Sequence, residues 1–593
     1  MAFKCPNCGG ALVFSITKQQ LKCTSCSSLF DPDTFSAGNE TADNFAGDPS
    51  GESPAAGSSG EESADMSASG SSARNTGKKS SAENITRLYT CRNCGATIRS
   101  GASEAATYCQ YCGGQTMIPA TGHYQSPDAI IPFKISRDRC KALYSEELKK
   151  VPFLPNEYKD PSFLQGFRGV YIPFYIYKVV MNGSMNFAAS RHTELPGNRY
   201  KVDNFNITVN IQGDAPYERD ASSLFADDMD KKITPYDKNS LKKYNANYLA
   251  GFYGDIPDVD PHIYDENAVS DTAAAAALKG EKAAETAIPG AIVKTDGLRG
   301  AVIDPKLALR PQITGMTTTA CPVWFLTWKK GDRVAYSVVN GENGKMASDL
   351  PLDRGKMGLA VLGISAVIFV VLFAITHFMT FSLPMMNELL AVAVLIMLAL
   401  LRSETISIAI KENHIGDEGY RGPSTKMPEK MQEKLDKKHA SRLRKKAVSG
   451  MGVFALTTLW VLLFSVGSGF ISAFFSVLSN SSGAGAAMAA FISFGLMIAD
   501  IVLMVSTFRY SNYTEEKIIK LEAFMLFLLS FIIFAVCLLK PVSDIYYYGC
   551  GLISAVILVI TGFGIIKRLN LMTLRKMPSF YDRKGGNNSG KEQ

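Results

Sequence analysis

The stretch that decides the fold is Cys91-Arg-Asn-Cys94, followed after fourteen residues by Cys109-Gln-Tyr-Cys112. The chain opens with the same pattern at the same spacing, in Cys5-Pro-Asn-Cys8 and Cys23-Thr-Ser-Cys26. Two CxxC pairs at this separation are a strong zinc signature, because each pair places two thiolates on one tetrahedral ion, and a short β-hairpin between the pairs brings them together. No histidine lies within either unit, so each is predicted to be a zinc ribbon with a closed four-thiolate site. We therefore predict two structural zinc ions.

Disulfide bonds are the alternative for these eight cysteines, and they need an oxidising compartment. No apolar run of signal-peptide length precedes Cys5. The apolar runs after Met357 are joined by loops whose Lys and Arg bias places this end of the chain in the reducing cytoplasm. Zinc is therefore the preferred interpretation. A unit of about 30 residues buries too little apolar surface to fold alone, so the metal is expected to supply folding free energy.

The composition of the whole chain indicates several domains of different character. At 593 residues the chain has 46% apolar and 20% charged residues, an average that hides a polar front and a very apolar back. The net charge of +7 is too modest to indicate a nucleic-acid-binding protein by itself. The four other cysteines are isolated and are predicted to be buried small apolar residues: Cys140, Cys321, Cys537 and Cys550.

Changes in composition along the chain divide it into eight segments. They are zinc ribbon 1 (1–35), a disordered linker (36–86), zinc ribbon 2 (87–118), a soluble α+β domain (119–350), a transmembrane hairpin of two spans (351–402), a basic cytoplasmic loop (403–449), four further transmembrane spans (450–570) and a basic cytoplasmic tail (571–593). The linker has almost no large apolar residue, so it cannot offset the entropy of ordering. We expect it to let the first ribbon reach a target independently of the second.

The soluble domain mixes helical and strand-like patterns without a regular βαβ rhythm, which favours an antiparallel α+β arrangement. Helices are predicted at Arg137–Lys150 and in the Ala-rich run Ala268–Ala287. A strand runs from Gly169 to Val180, and Asn182-Gly183 after it is a strong hairpin signal that would return the chain through 184–190. Further strands are predicted at 204–211, 322–328 and 334–339.

The region from Met357 onward contains six apolar runs that meet or approach the roughly 20 residues needed to cross a membrane. They are 357–379, 383–401, 451–478, 484–508, 521–539 and 545–566. A buried core helix is the alternative for any single run, but six runs in one region argue against it. We therefore predict an all-α transmembrane region of six helices.

The Lys and Arg residues of the connecting loops predict the orientation of these spans. The loop at 402–449 holds twelve of them, and the loop at 509–520 and the tail are also basic, whereas the opposite loops offer only Lys540. We therefore predict a multi-pass protein of the cell membrane with both termini in the cytoplasm. The basic loop at 402–449 is either a solvated loop or a surface helix that contacts anionic lipid headgroups.

Asp500 is an ionisable residue inside the fourth apolar run. A charge there costs a few kcal/mol on insertion scales and marks a functional site by default. Ser493 lies about two helical turns before it, and Ser506 or a polar residue on another span is the expected partner. The alternative is a packing residue that is protonated or hydrogen-bonded.

The sequence contains no recognisable catalytic motif. It has no phosphate-binding loop, dinucleotide fingerprint, zinc-protease helix or nucleophile elbow, and its six histidines are scattered. We therefore predict that the protein is not an enzyme. The basic residues of the ribbons are few and the first part of the linker is acidic, which favours a protein partner over nucleic acid.

Several motifs, taken in order, resemble a bacterial family of integral membrane proteins with a TFIIB-type zinc ribbon. They are the second ribbon, Ile130-Ile-Pro-Phe-Lys134, Phe153-Leu-Pro155, Gly169-Val-Tyr-Ile-Pro-Phe174, Ile233-Thr-Pro-Tyr-Asp237, Tyr248-Leu-Ala-Gly-Phe252, Pro322-Val-Trp324 and Val339-Asn-Gly341 with Gly344-Lys345. Such proteins are often labelled helicase-like because of the ribbon alone, but this chain has no helicase phosphate-binding motif. The resemblance implies a membrane anchor for a peripheral partner, alongside phage-shock-type membrane-stress proteins.

Together these observations predict a zinc-binding scaffold in the membrane. It presents its ribbons and its α+β domain to a cytoplasmic protein partner, in the setting of membrane stress that the resemblance implies. The alternative is a membrane transporter or channel with a regulatory zinc-ribbon domain, in which Asp500 takes part in transport.

Overall fold

The structure is a computed structural model that describes most of the chain. It describes residues 5–35, 85–91, 97–100, 117–360, 363, 367, 383–420, 427–435 and 482–572, with internal gaps at 197–198, 224–225, 256, 295–303, 331–332, 354 and 540. Nearly all of the predicted linker lies outside the described residues, as do Cys94, Cys109 and Cys112 of the second ribbon. The same holds for the apolar run at 451–478 and for most of the run at 357–379.

The first ribbon is a small antiparallel sheet of three strands in the order β1-β2-β3. The strands are β1 (Leu12–Ser15), β2 (Gln20–Cys23) and β3 (Leu29–Phe30). The register pairs Leu12 with Cys23 and Phe14 with Leu21. Because side chains alternate along a strand, these four lie on one face of the hairpin, and all four are buried. The hairpin predicted between the two CxxC pairs is confirmed here.

The chain around the second ribbon forms a separate antiparallel sheet in the order β5-β4-β6. Its strands are β4 (Ile85–Cys91), β5 (Thr97–Ser100) and β6 (Met117–Gln125). Cys91 is the last residue of β4 and pairs with Met117 of β6. The first cysteine of this unit therefore stands at the end of a strand.

The soluble domain is built on a sheet of nine strands. Five of them follow the order β10-β7-β13-β14-β15, and β8 pairs with β9, β11, β12 and β13. The strands are β7 (Ala129–Ile130), β8 (Arg168–Leu195), β9 (Arg199–Asp220), β10 (Lys242–Lys243), β11 (Tyr253–Gly254), β12 (Ile292–Lys294), β13 (Gln312–Lys330), β14 (Arg333–Asn340) and β15 (Met346–Ser348). The helices are α1 (Arg137–Lys150), α2 (Pro161–Leu164), α3 (Asp227–Ile233), α4 (Asp265–Ala287) and α5 (Pro305–Leu309). The predicted antiparallel α+β class is confirmed, with parallel pairing only of β7 with β13 and of β8 with β11 among the described strands.

Helices cover both faces of this sheet, because successive side chains along its long strands point to opposite faces. On β8, Tyr171 packs in one cluster with Tyr144 of α1, and the next residue, Ile172, packs with Met229 of α3 in another. The helices α1 and α3 therefore cover opposite faces. Farther along β8, Phe187 is fully buried beneath α4.

The hairpin predicted at Asn182-Gly183 is wrong. The strand β8 continues through both residues and through the predicted return at 184–190, and Gly183 pairs with Ile211 of β9. Glycine is needed here for a different reason, since a Cβ at Gly183 would lie 2.0 Å from the Ala308 carbonyl oxygen. The helix α5 packs so closely onto the strand that a side chain does not fit.

The other elements predicted for this domain are confirmed. The helix α1 has the predicted bounds, and α4 contains the whole Ala-rich run. The predicted strands at 204–211, 322–328 and 334–339 lie within β9, β13 and β14.

Four described helices contain segments long and apolar enough to cross a membrane, which indicates a membrane protein. They are α6 (Leu383–Glu412), α7 (Ser482–Ser511), α8 (Ile518–Leu539) and α9 (Ile545–Met572). The helix α6 contacts the other three, and α8 lies between α7 and α9. The helix α6 also continues past the predicted end of its span at Leu401, so the predicted boundary between 402 and 403 falls inside a helix.

Candidate metal centre

Four cysteines of the first ribbon converge at one end of its sheet. The Sγ atoms of Cys5, Cys8, Cys23 and Cys26 all lie within 4.8 Å of one another. Cys5 Sγ lies 3.5 Å from Cys26 Sγ, and Cys8 Sγ lies 3.4 Å from Cys23 Sγ. Four Zn–S bonds of about 2.3 Å in a tetrahedron separate the sulfurs by about 3.8 Å, so the cluster fits one zinc ion after a slight expansion. A disulfide bond would need sulfurs about 2.0 Å apart.

The backbone around these thiols supports the metal-binding form of cysteine. The amides of Ser25 and Cys26 donate hydrogen bonds to Cys23 Sγ over 3.4 and 3.5 Å. Hydrogen bonds to sulfur favour the thiolate, which is the zinc ligand. A Cβ at Gly10 would lie 2.5 Å from Ser25 Oγ and 3.1 Å from Cys23 Sγ, so glycine is required where the two CxxC turns meet. The first predicted site is therefore assembled, whereas only Cys91 of the second lies in a described strand.

The apolar face of the first ribbon packs against the soluble domain. Leu12, Phe14 and Leu21 belong to the same buried cluster as Phe133 and Tyr248 of that domain. The Phe14 amide donates to the Ala250 carbonyl over 2.9 Å, and the rings of Phe14 and Tyr248 lie 5.1 Å apart. The ribbon thus extends the core of the domain.

Polar contacts hold the end of the ribbon in the same place. Asn247 Nδ2 donates to the carbonyl oxygens of Pro32 and Phe35 over 2.8 and 2.9 Å. The Tyr248 hydroxyl donates to Asp33 Oδ1 over 2.8 Å. This docking differs from the expectation that the first ribbon reaches a target independently. The physical reason is that so small a unit cannot cover its own apolar face.

Asp500 lies in α7 and is fully buried. Neither of its carboxylate oxygens accepts a hydrogen bond within the described residues, although Ser530 of α8 faces it. Ser506, one of the expected partners, instead accepts a hydrogen bond from Arg402 Nε over 2.7 Å. The Ser493 hydroxyl is also buried without a partner in the part of the chain that the structure describes.

A buried ion network joins three of the membrane helices, and sequence reasoning missed it. Arg568 of α9 contacts Glu404 of α6, with Nε–Oε1 at 3.2 Å, and Glu522 of α8, with Nη2–Oε2 at 2.6 Å. All three side chains are buried. Glu522 and Arg568 stand at the ends of apolar runs, where charges are ordinary, so the sequence gives no signal that they meet.

Comparison with known proteins gives one informative similarity. A Bacillus subtilis (strain 168) protein described as the uncharacterized protein YdjG is 23% identical over 256 residues, which cover 42% of this chain and 71% of that protein. No family model matches the chain, and no solved structure matches it. The description of the relative assigns it no activity, so the function of this chain has to be argued from its own residues.

Proposed function

We propose that the protein is an integral membrane scaffold whose zinc-stabilised soluble domain binds a protein partner in the cytoplasm. The observation that carries this proposal is the edge of β9. Within the described residues β9 pairs with β8 alone, so no other described strand pairs with its outer edge. Asn204, Asn206, Thr208 and Asn210 alternate along this edge strand and are exposed. A partner segment that adds a strand here gains main-chain hydrogen bonds.

The experiment is site-specific photo-crosslinking in native membranes. A photoreactive residue at Asn206 on β9 is compared with one at Lys282, an exposed residue of α4. We expect a protein adduct from position 206 and none from position 282, and the same protein should bind the purified scaffold and fail to bind a variant with Thr208→Pro and Asn210→Pro. Equal adducts from both positions, or unchanged binding to the proline variant, would refute the proposed surface.

Contacts at the membrane helices support the proposed orientation with both termini in the cytoplasm. Lys411 Nζ near the end of α6 lies 3.8 Å from Asp349 Oδ1 of the soluble domain. Asn413 Nδ2 donates to the Tyr513 carbonyl over 2.8 Å. The soluble domain and the loops after α6 and α7 therefore share one side, and these are the Lys- and Arg-rich segments that the positive-inside rule places in the cytoplasm.

Cysteine labelling on either side of α8 tests this orientation. Asn512→Cys after α7 should react with an impermeant maleimide only in inverted vesicles. Val542→Cys, which lies between α8 and α9 and is fully exposed, should react only in intact cells. Reaction of both positions from the same side would contradict the topology.

A second zinc ion and a contact of the basic loop with lipid headgroups are part of the same proposal. The spacing of Cys91, Cys94, Cys109 and Cys112 supports a second structural zinc ion in a TFIIB-type ribbon. In the basic loop, Met427 and Leu435 are buried against the ends of α6 and α7, whereas Lys430 and Lys434 are exposed. These two lysines are spaced to face one side of a helical turn, which suits contact with anionic headgroups.

A transporter or channel is the second candidate function, and the observation that favours it is Asp500. A fully buried carboxylate with no hydrogen bond within the described residues is the kind of group that binds an ion or proton during transport. Flux in reconstituted vesicles that Asp500→Asn abolishes would establish this function. Wild-type vesicles no leakier than empty ones to any tested ion would remove it.

A further inference from the structure

Three aspartates of the soluble domain meet where β9 ends. Asp220 is the last residue of β9, and Asp227 and Asp230 lie on α3. One carboxylate oxygen from each lies within 4.8 Å of the others, and no side chain in the group is more than 1% exposed. Buried carboxylates lose their hydration and repel one another, so such a group needs protons or a cation.

Most carboxylate oxygens of the three aspartates accept no hydrogen bond within the described residues. Both oxygens of Asp220 accept none, and neither do Oδ1 of Asp227 and Oδ1 of Asp230. Asp230 Oδ2 accepts from the Asp220 amide over 3.1 Å, and Asp227 Oδ2 accepts from the Glu418 amide over 3.4 Å. The Arg219 guanidinium lies beside the group, with Nη1 3.7 Å from Asp230 Oδ1. One guanidinium does not balance three carboxylates.

Two polar groups from other elements face the same place. Tyr264, just before α4, is fully buried, and its hydroxyl has no hydrogen-bond partner in the described parts of the chain. Burial raises the pKa of Tyr264 far above its usual range, and the charges of the nearby aspartates raise it further. A Cβ at Gly419 would lie 2.9 Å from the Tyr264 hydroxyl, so the phenol lies beside the segment whose Glu418 amide donates to Asp227. Asp417, the residue before Glu418, has one buried oxygen, Oδ1, without a partner in the described residues, and its Oδ2 lies 3.6 Å from His414 Nδ1.

We propose that Asp220, Asp227 and Asp230, with the Tyr264 hydroxyl beside them, form a binding site for a divalent cation of the calcium type, next to the segment that carries Asp417. All of these ligands are oxygens, which Ca²⁺ and Mg²⁺ prefer. Ca²⁺ accepts irregular sets of six to eight oxygens at about 2.3–2.6 Å, whereas Mg²⁺ demands an octahedron and keeps several waters. A buried set of oxygens contributed by separate elements therefore suits Ca²⁺ better.

The bound cation links the soluble domain to the membrane region. Asp417 and Glu418 follow shortly after α6, and Asn267 of α4 donates to the Glu418 carboxylate. When the cation leaves, the repulsion between Asp417 and the aspartates of β9 and α3 loosens this contact. The site therefore makes the placement of the domain against α6 depend on the cation.

The test uses the full-length protein in detergent, treated with EGTA at a concentration that leaves its zinc content unchanged. CaCl₂ and MgCl₂ are titrated separately by calorimetry, and Tb³⁺ is titrated by luminescence excited through the tyrosines. We expect one saturable Ca²⁺ site and weaker Mg²⁺ binding. Asp227→Asn should weaken Ca²⁺ binding by at least about 100-fold, since even groups that only orient a metal ligand are worth about 10–100-fold. Asp214→Asn, an exposed aspartate on the same strand, should bind Ca²⁺ as the wild type does.

Absence of saturable Ca²⁺ and Tb³⁺ binding by the wild type at millimolar cation would overturn the proposal, and so would wild-type affinity in folded Asp227→Asn. If that variant does not fold, the wild-type titration still decides. If Asp220→Asn raises the melting temperature while the wild type binds no cation, the carboxylates hold protons instead, and the proposal fails.

Discussion

Cys23 is the most constrained thiol of the four-cysteine cluster in the first ribbon, because it is fully buried and its sulfur accepts two amide hydrogen bonds. A closed four-thiolate site does not tolerate the loss of such a ligand. We expect Cys23→Ser to lower the zinc content by one ion per chain, measured by plasma mass spectrometry. The hairpin β1–β2 should then become sensitive to protease, since the metal supplies its folding free energy.

The matched control is Cys140→Ala, which changes a buried cysteine of α1 outside the cluster. It should destabilise the domain slightly and leave the zinc content unchanged. An unaltered zinc content in folded Cys23→Ser would show that this cysteine is not a ligand.

Glu218 gives the soluble domain a pH dependence. It is buried on β9, accepts a hydrogen bond from the Tyr236 amide over 2.9 Å, and burial raises its pKa from 4.5 to about 7. Because the folded state holds this proton more tightly than the unfolded chain, the stabilisation is complete below about pH 4.5 and is lost as the pH rises through about 7. Between pH 5 and 8, the wild type should lose on the order of 3 kcal/mol more unfolding free energy than Glu218→Gln.

Denaturant unfolding at the two pH values, with EGTA present in both, measures this difference. Parallel pH dependences of the wild type and Glu218→Gln would show that Glu218 is ionised in the folded protein throughout this range.

The four-cysteine cluster of the first ribbon could be predicted from sequence, because each CxxC unit places two thiols within one turn of chain. The aspartates Asp220 and Asp417 could not be predicted, because no local spacing relates them to Asp227 and Asp230. Only the fold, which ends β9 beside α3 and returns the chain after α6 to the Asp227 carboxylate, brings these segments together. Sequence patterns report neighbours along the chain, whereas this group consists mainly of neighbours in space.

At the scale of elements, a few polar groups add to the apolar contact between the first ribbon and the soluble domain. Asn247→Ala removes two hydrogen bonds, to Pro32 and Phe35, each worth about 1 kcal/mol. We expect the amides of β1 and β2 to exchange hydrogen about 30-fold faster by undocking, while the zinc content stays the same. Hydrogen exchange read by mass spectrometry measures both strands directly.

Asn186→Ala, an exposed change on β8 far from the ribbon, is the control and should leave these amides unaffected. If Asn247→Ala also leaves them unaffected, the two hydrogen bonds of Asn247 do not hold the ribbon in place.

The strand β8 shows why element boundaries are harder to predict than element types. Asn182-Gly183 has the composition of a hairpin turn, and no local feature distinguishes a glycine used for a turn from one used for close approach. The close approach comes from Ala308 on α5, which is far away in sequence. By contrast, α1 was predicted with its observed bounds, because the helical spacing of its apolar residues is a local pattern.

At the scale of the whole molecule, the network of Arg568, Glu404 and Glu522 determines how the membrane helices fit together. The guanidinium makes hydrogen bonds to both carboxylates, so one residue of α9 fixes α6 and α8 at the same end of the bundle. A Cβ at Gly564 would lie 2.5 Å from Glu522 Oε1, so glycine leaves room for the carboxylate one turn before Arg568.

Removing the arginine should therefore lower the stability of the protein more than the substitution of an exposed residue does. Arg568→Ala leaves two buried carboxylates without their cation, and breaking a buried pair in this way typically costs about 3–5 kcal/mol. Arg568→Lys should recover only part of this loss, because a lysine cannot make the forked contacts to both carboxylates. Arg509→Ala changes an exposed arginine near the end of α7 and should stay within about 0.5 kcal/mol of the wild type.

The triple variant Arg568→Ala, Glu404→Gln, Glu522→Gln distinguishes two costs. One is the loss of the arginine's own contacts, and the other is the burial of two carboxylates without a cation. If the cost of Arg568→Ala comes from the unpaired carboxylates, neutralising both should restore most of the stability that the single change removes. Unfolding in detergent, followed by helical circular dichroism, measures the stability of the wild type, Arg568→Ala, Arg509→Ala and the triple variant. A triple variant as unstable as Arg568→Ala would mean that the arginine acts through its packing between the helices. Stability of Arg568→Ala equal to that of Arg509→Ala would mean that the network does not hold the bundle together.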